Sequence, residues 1–207
     1  MKLDVQVGSG LDGLRFGMDE TQVRAGLAAY GEVVDATAPG GALCLRTRGL
    51  DASFSVYASF TADGLLFTLE IWRPDDASSI EVSLYGIPVF AAPADIVLAR
   101  LAELGQPVDL ADRWHPLLPE ASIGLDREGG DDCDDDGLAR HFQSMFIAPP
   151  GYYAGPPGSG MGGVRSGQEW RGESRRLVRH ACAQAVAVVP APGRRAVAGC
   201  GRHPARR

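Results

Sequence analysis

Residues 18–35 align with residues 92–109 without a gap at an offset of 74, and seven of the 18 positions are identical: Val23/Val97, Ala25/Ala99, Leu27/Leu101, Ala28/Ala102, Gly31/Gly105, Val34/Val108 and Asp35/Asp109. A repeat constrains a fold more than composition does, because each copy must build the same local structure and then bury its apolar face against a neighbour. Val23, Leu27 and Tyr30, like Val97, Leu101 and Leu104, are spaced four and then three apart, which puts each trio on one face of a short helix. Asp19 with Gln22 three residues on reads as a capping box. Pro93 stands where the second helix begins, with Asp95 in its first turn. Gly31 and Gly105 fit the left-handed position that follows a helix end.

Strand patterns follow each helix. Residues 42–48 alternate, residues 52–60 place Phe54, Val56, Ala58 and Phe60 on one face, and a turn at 61–64 leads to residues 65–72, where Leu65, Phe67, Leu69 and Ile71 share a face. In the second half, residues 81–84 precede the helix, and residues 121–127 and 140–148 read as two strands joined by a long acidic loop. The expected fold is α+β: two repeated helix-plus-antiparallel-sheet units, about 1–75 and 76–153, with one shared core, since about 70 residues is too few for each alone.

Charge divides the chain at about residue 153. Residues 1–153 hold ten Lys+Arg against 24 Asp+Glu, a balance of −14, whereas residues 154–207 hold ten Arg and two Glu, a balance of +8. The acidic body repels phosphate backbones, so nucleic acid is excluded as its partner and a basic protein is favoured. The tail is rich in Gly, Pro and Arg and expected to be disordered, with only residues 175–189 able to form a helix or strand. It reads either as content read out of frame from GC-rich DNA, as an ordinary disordered tail, or as a basic arm. No stretch reaches the roughly 18 apolar residues of a membrane span, and residues 1–10 lack a secretory apolar region, so a cytoplasmic location without membrane contact is expected. The four cysteines show no metal or redox spacing, and reduced thiols are expected.

The acidic loop carries the most suggestive chemistry. Asp126, Glu128, Asp131, Asp132, Asp134, Asp135 and Asp136 crowd within 11 residues, and Asp132-Cys133-Asp134-Asp135-Asp136-Gly137 matches the first half of a calcium loop. Position 12 of that pattern is Gln143, which offers one neutral oxygen where a bidentate carboxylate is needed. Three readings stay open there: a solvated hairpin tip, a patch for a basic partner, and a cation site. Gly8, Gly10 and Gly13 match a dinucleotide-binding pattern, but the helix cap at Asp19 comes too late for helix amides to face a pyrophosphate, so an ordinary turn is expected. No nucleophile motif is present, and neither cofactor nor metal is implied. Carboxylates near His141 favour its protonated form. Asp112-Arg113-Trp114-His115 and Trp72-Arg73-Pro74 read as loop anchors, with Trp114 also a candidate for an interface. Residues 149–153 read as an extended exit whose two tyrosines pack on the sheet.

The segment Gly17-Met18-Asp19-Glu20-Thr21-Gln22-Val23 resembles the opening of the units in beta-lactamase-inhibitory proteins and in the small lipoproteins of outer-membrane assembly, over about 20 residues per unit. The chain departs from both groups in having no lipidation cysteine near its start and no paired cysteines within the units. The resemblance implies a binding or inhibitory protein. The function expected is therefore a non-catalytic, immunity- or inhibitor-like one, exerted on a basic partner through Asp126, Glu128, Asp131, Asp132, Asp134, Asp135, Asp136 and Trp114. The alternative is a metal-dependent or small-ligand enzyme using the loop at 126–136 and His141.

Overall fold

The computed structural model describes residues 1–37, 43–48 and 53–153. The chain runs through β1 (Lys2–Gln6), β2 (Gly10–Leu11), β3 (Leu14–Arg15), α1 (Glu20–Leu27), a 3-10 turn (Ala28–Tyr30), β4 (Glu32–Thr37), β5 (Leu43–Arg48), β6 (Ser55–Phe60) and β7 (Leu66–Trp72). It continues through β8 (Glu81–Leu84), β9 (Ile87–Pro88), α2 (Ala94–Glu103), β10 (Leu117–Leu118), β11 (Ile123–Asp126) and β12 (Ser144–Ile147). Strands dominate, with two short helices. The expected tail, including the possible element at 175–189, lies outside the described residues. No described helix is long and apolar enough to cross a membrane.

The strands form two sheets. A five-stranded sheet has the order β3-β2-β1-β8-β9, and a seven-stranded antiparallel sheet has the order β10-β11-β12-β7-β6-β5-β4. The larger sheet is two meanders meeting at a seam, where Ile71 of β7 pairs with Met145 of β12. Its inner face carries two apolar rows across the strands. One runs Ile123, Ile147, Leu69, Ala58 and Leu45; the other runs Leu125, Met145, Ile71 and Val56. All nine belong to one buried cluster that also holds Val23 and Leu27 of α1 and Val97 and Leu101 of α2. Because strand side chains alternate, the opposite face is left to Asp126, Ser144, Trp72, Glu70 and Phe146.

Both helices begin against the large sheet's strands or loops. The capping box is formed: Asp19 Oδ1 accepts from the Gln22 N–H at 2.9 Å, and Gln22 Oε1 accepts from the Asp19 N–H at 3.1 Å. The Leu66 N–H donates to the Met18 carbonyl at 2.7 Å, and the Ala94 N–H donates to the Arg140 carbonyl at the same distance. The Gly8, Gly10 and Gly13 pattern turns the chain between β1, β2 and β3, well before α1.

Several expectations need correction. The sheets are not wholly antiparallel, because β1 and β8 pair in parallel, Leu3 opposite Val82. The face of residues 65–72 is shifted by a bulge: Ser59 faces Thr68 while Phe60 faces Leu66, which leaves Phe67 as the extra residue. One inserted residue reverses side-chain parity, so Leu66 turns inward, Leu65 is exposed and Phe67 joins the outer face. β4 was not foreseen, and the last strand begins at Ser144 rather than at 140. Tyr30 is buried as expected, but Leu104 is exposed, since α2 ends at Glu103. Cys44 is a free, buried thiol, as expected.

Candidate functional site

Sheet register places three side chains in one row on the outer face. Trp72, the last residue of β7, lies opposite Ser144, the first of β12, and Ser144 lies opposite Asp126, the last of β11. The next row on that face is Glu70, Phe146 and Gly124. Tyr152 covers part of it, with its ring 5.7 Å from that of Phe67 and 5.4 Å from that of Phe146. The exit at 149–153 thus packs on the sheet as the two tyrosines suggest, but as a turn rather than an extended segment, with the Tyr152 N–H donating to the Pro149 carbonyl at 3.2 Å.

Where these strands end, a cleft of about 510 Å³ opens, with Trp72, Arg73, Asp126, Glu128, Asp131 and His141 among its lining. Its carboxylates are anchored from behind. The Glu128 N–H donates to Asp126 Oδ1 at 2.9 Å. His115 lies between three acids: its Nδ1 is 3.2 Å from Asp112 Oδ2, and its Nε2 is 3.5 Å from Asp126 Oδ1 and 4.0 Å from Glu128 Oε2. The ring is fixed because Asp112 Oδ1 accepts from the Trp114 N–H at 3.1 Å and the Pro116 carbonyl accepts from the Leu125 N–H at 2.9 Å, lashing this loop to β11. Burial pushes the Asp126 carboxyl up to about 6, against the pull of the Glu128 amide and of His115. Burial likewise pushes Glu70 up to about 7, with the Asp126 charge adding to it and hydrogen bonds from Ser144 and Trp72 opposing it. The Ser144 hydroxyl is 3.4 Å from Glu70 Oε1.

The acidic loop is more constrained than a solvated hairpin tip. Arg127, only 3% exposed, donates from Nε to the Ala139 carbonyl at 2.8 Å, from Nη1 to Asp95 at 2.9 Å and from Nη2 to Asp134 at 3.3 Å, tying the loop to the first turn of α2. Arg140 meets Asp132 at 2.9 Å and Arg113 meets Asp136 at 2.9 Å. The three carboxylates that would open a calcium loop therefore each face a guanidinium, and among the described residues no group of three or more His, Cys, Asp or Glu is arranged to hold a metal ion.

Of the residues singled out from sequence, Asp126, Glu128, Asp131 and Asp132 line the cleft. Asp134 and Asp136 are engaged elsewhere in the loop, Asp135 is exposed, and Trp114 is half-buried beside Gly137 rather than in the cleft. His141 does line the cleft, but burial first and then Arg73 lower its pKa, outweighing the opposing pull of Asp132. Sequence reasoning gave Glu70, Ser144 and Arg127 no role, and took His115 and Trp72 only as loop anchors. Glu70 had a signal, being the lone charge in the apolar run Leu65-Leu66-Phe67-Thr68-Leu69-Glu70-Ile71-Trp72.

The chain matches no protein-family model, no curated protein and no solved structure.

Proposed function

We propose that the chain is a non-catalytic, immunity- or inhibitor-like binding protein that engages a basic partner through the cleft at the end of β7, β11 and β12. The observation that carries this reading is the convergence of Asp126, Glu128 and Asp131 on one recess beside Trp72. Carboxylates around an aromatic wall suit a guanidinium or ammonium group, which gains both ion pairing and a cation–π contact. The arginine clamps on Asp132, Asp134 and Asp136 support it further, because a pre-ordered loop loses less entropy on binding.

The architecture proposed with it is a duplicated unit sharing one core. The offset of 74 that relates Val23 to Val97 also relates Ile71 to Met145, which face each other at the seam, so that pair maps onto itself and Trp72–Ser144 maps onto Glu70–Phe146. The helix anchors obey nearly the same spacing, Met18–Leu66 in one half and Ala94–Arg140 in the other. The opening segment at 17–23 adds the resemblance to inhibitory proteins.

A hexa-arginine peptide serves as the test, with binding to the full chain followed by anisotropy. Glu128→Gln combined with Asp131→Asn is expected to weaken binding at least tenfold, whereas Glu103→Gln combined with Glu120→Gln, an equal loss of charge at exposed positions elsewhere, changes it less than twofold. Equal effects of the two pairs would reduce the attraction to net charge and overturn the reading. The association rate is also expected to fall steeply with added salt.

A further inference from the structure

We propose that the cleft is proton-gated: a guanidinium or ammonium group of the partner and protons on the carboxylates behind the cleft exclude one another, so that the site is open at neutral pH and closed under mildly acidic conditions. This rests on the reading of the cleft as a receptor for a basic partner.

The geometry behind it is a set of ionisable groups brought together from separate segments of the chain. Asp126 closes β11 and faces His115 Nε2 from the loop before β10, with Glu128 one turn of chain further on. Asp112 holds the other nitrogen of the same imidazole. Across β12, Ser144 lies between Asp126 and Trp72 in the strand register, and its hydroxyl reaches Glu70 of β7. On the far side of Glu70, its cross-strand partner is Tyr57 of β6, whose hydroxyl accepts from Arg46 Nη1 at 3.1 Å. Arg73, Asp75, Asp131, Asp132 and His141 complete the charged rim of the cleft.

Asp126 lines the cleft and Glu70 stands one row behind it, so a cationic ligand competes with protons directly at Asp126 and through its field at Glu70. Asp126 and Glu70 stand near 6 and 7 because water is largely excluded from them. Each is neutral when protonated, and a neutral carboxyl offers a cation little. A cation entering the cleft stabilises the charged forms and must therefore displace protons still bound. Hence affinity for a permanently charged ligand rises with pH over the interval in which these carboxylates ionise. An arginine peptide suits this test because its guanidinium groups keep their charge throughout.

Affinity of the full chain for hexa-arginine is measured from pH 5.5 to pH 7.5 at constant ionic strength, with calorimetry at pH 6.5 in two buffers of different ionisation enthalpy. The expected result is about a tenfold gain in affinity over that span and uptake by the buffer of about one proton per peptide bound, with both reduced in Asp126→Asn. If the peptide binds through the cleft with an affinity independent of pH and no proton release, gating is overturned while the basic-partner reading stands. If binding ignores the cleft substitutions at every pH, that reading falls and the gate falls with it. Should Asp126→Asn not fold, the wild-type pH series and proton count decide alone.

Discussion

Glu70 is a carboxylate placed where water is scarce, and its cost to the fold has a definite sign. Its pKa is about 7 in the folded chain against an ordinary 4.5, so the folded state holds the proton more tightly than the unfolded state does. The stability linked to that proton is fully present below about pH 4.5 and is lost as pH rises toward 7. Discounted for the residue's partial exposure, the penalty at pH 8 is about 1–2 kcal/mol. Glu70→Gln keeps an acceptor for Ser144 and removes the charge, so urea unfolding is expected to show a stabilised variant at pH 8 and no difference at pH 4; a loss of stability at pH 8 would contradict the assignment. Arg127 is the opposite case, a buried charge with its partners in place. Arg127→Met leaves the Ala139 carbonyl without its donor and removes the ion pairs to Asp95 and Asp134, and a loss of about 2–3 kcal/mol is expected in the same assay. Along the chain Glu70 is marked only as the lone charge of an apolar strand and Arg127 is hidden in an acidic run; the sheet register shows what Glu70 meets, and the packing of the loop on α2 shows what Arg127 meets.

At the scale of elements, the two aligned glycines show how far a repeat can be read. Gly105 adopts the left-handed conformation expected after α2, with φ of 71°, and its N–H donates to the Ala102 carbonyl at 2.9 Å while the Gln106 N–H donates to the Leu101 carbonyl at the same distance. That is a Schellman end. Gly31 is glycine for a different reason: φ is 135° and an added Cβ would lie 2.5 Å from the Arg48 carbonyl oxygen, backbone that cannot step aside. Gly31→Ala is therefore expected to cost more than 2 kcal/mol, and Gly105→Ala only about 1 kcal/mol, by thermal unfolding. Equal costs would mean that the approach to β5 is not tight. Helix caps and strand alternation are local patterns, and α1, α2, β5, β6 and β11 are readable from them. The parallel pairing of β1 with β8 depends on partners distant in sequence, whereas the bulge at Phe67 and the edge strand β4 lie in pairings of consecutive strands and escape a reading by period because an inserted residue, or a half-exposed strand, breaks the alternation. The cleft was half readable: its acids cluster along the chain, but Trp72 joins them only through the seam, with Ser144 and Glu70 in the strand rows behind it.

For the whole molecule, the decisive matter is whether the two halves unfold together. Leu27 of α1 and Leu101 of α2 are both fully buried in the cluster that also lines the inner face of the large sheet. The halves are further joined by the Ile71–Met145 seam and by β1 with β8. Removing either leucine side chain leaves a cavity whose cost, about 2–5 kcal/mol, falls on whichever unit contains it. If one core serves both halves, Leu27→Ala and Leu101→Ala each move a single unfolding transition to lower denaturant with its slope unchanged, whether followed by far-ultraviolet dichroism or by tryptophan fluorescence. If each half is its own unit, one variant splits the curve in two, because the undamaged half persists after the other has melted. The seam makes the first outcome the expected one, since breaking either half would strip a neighbour from β7 or β12 and expose the apolar rows that continue across them.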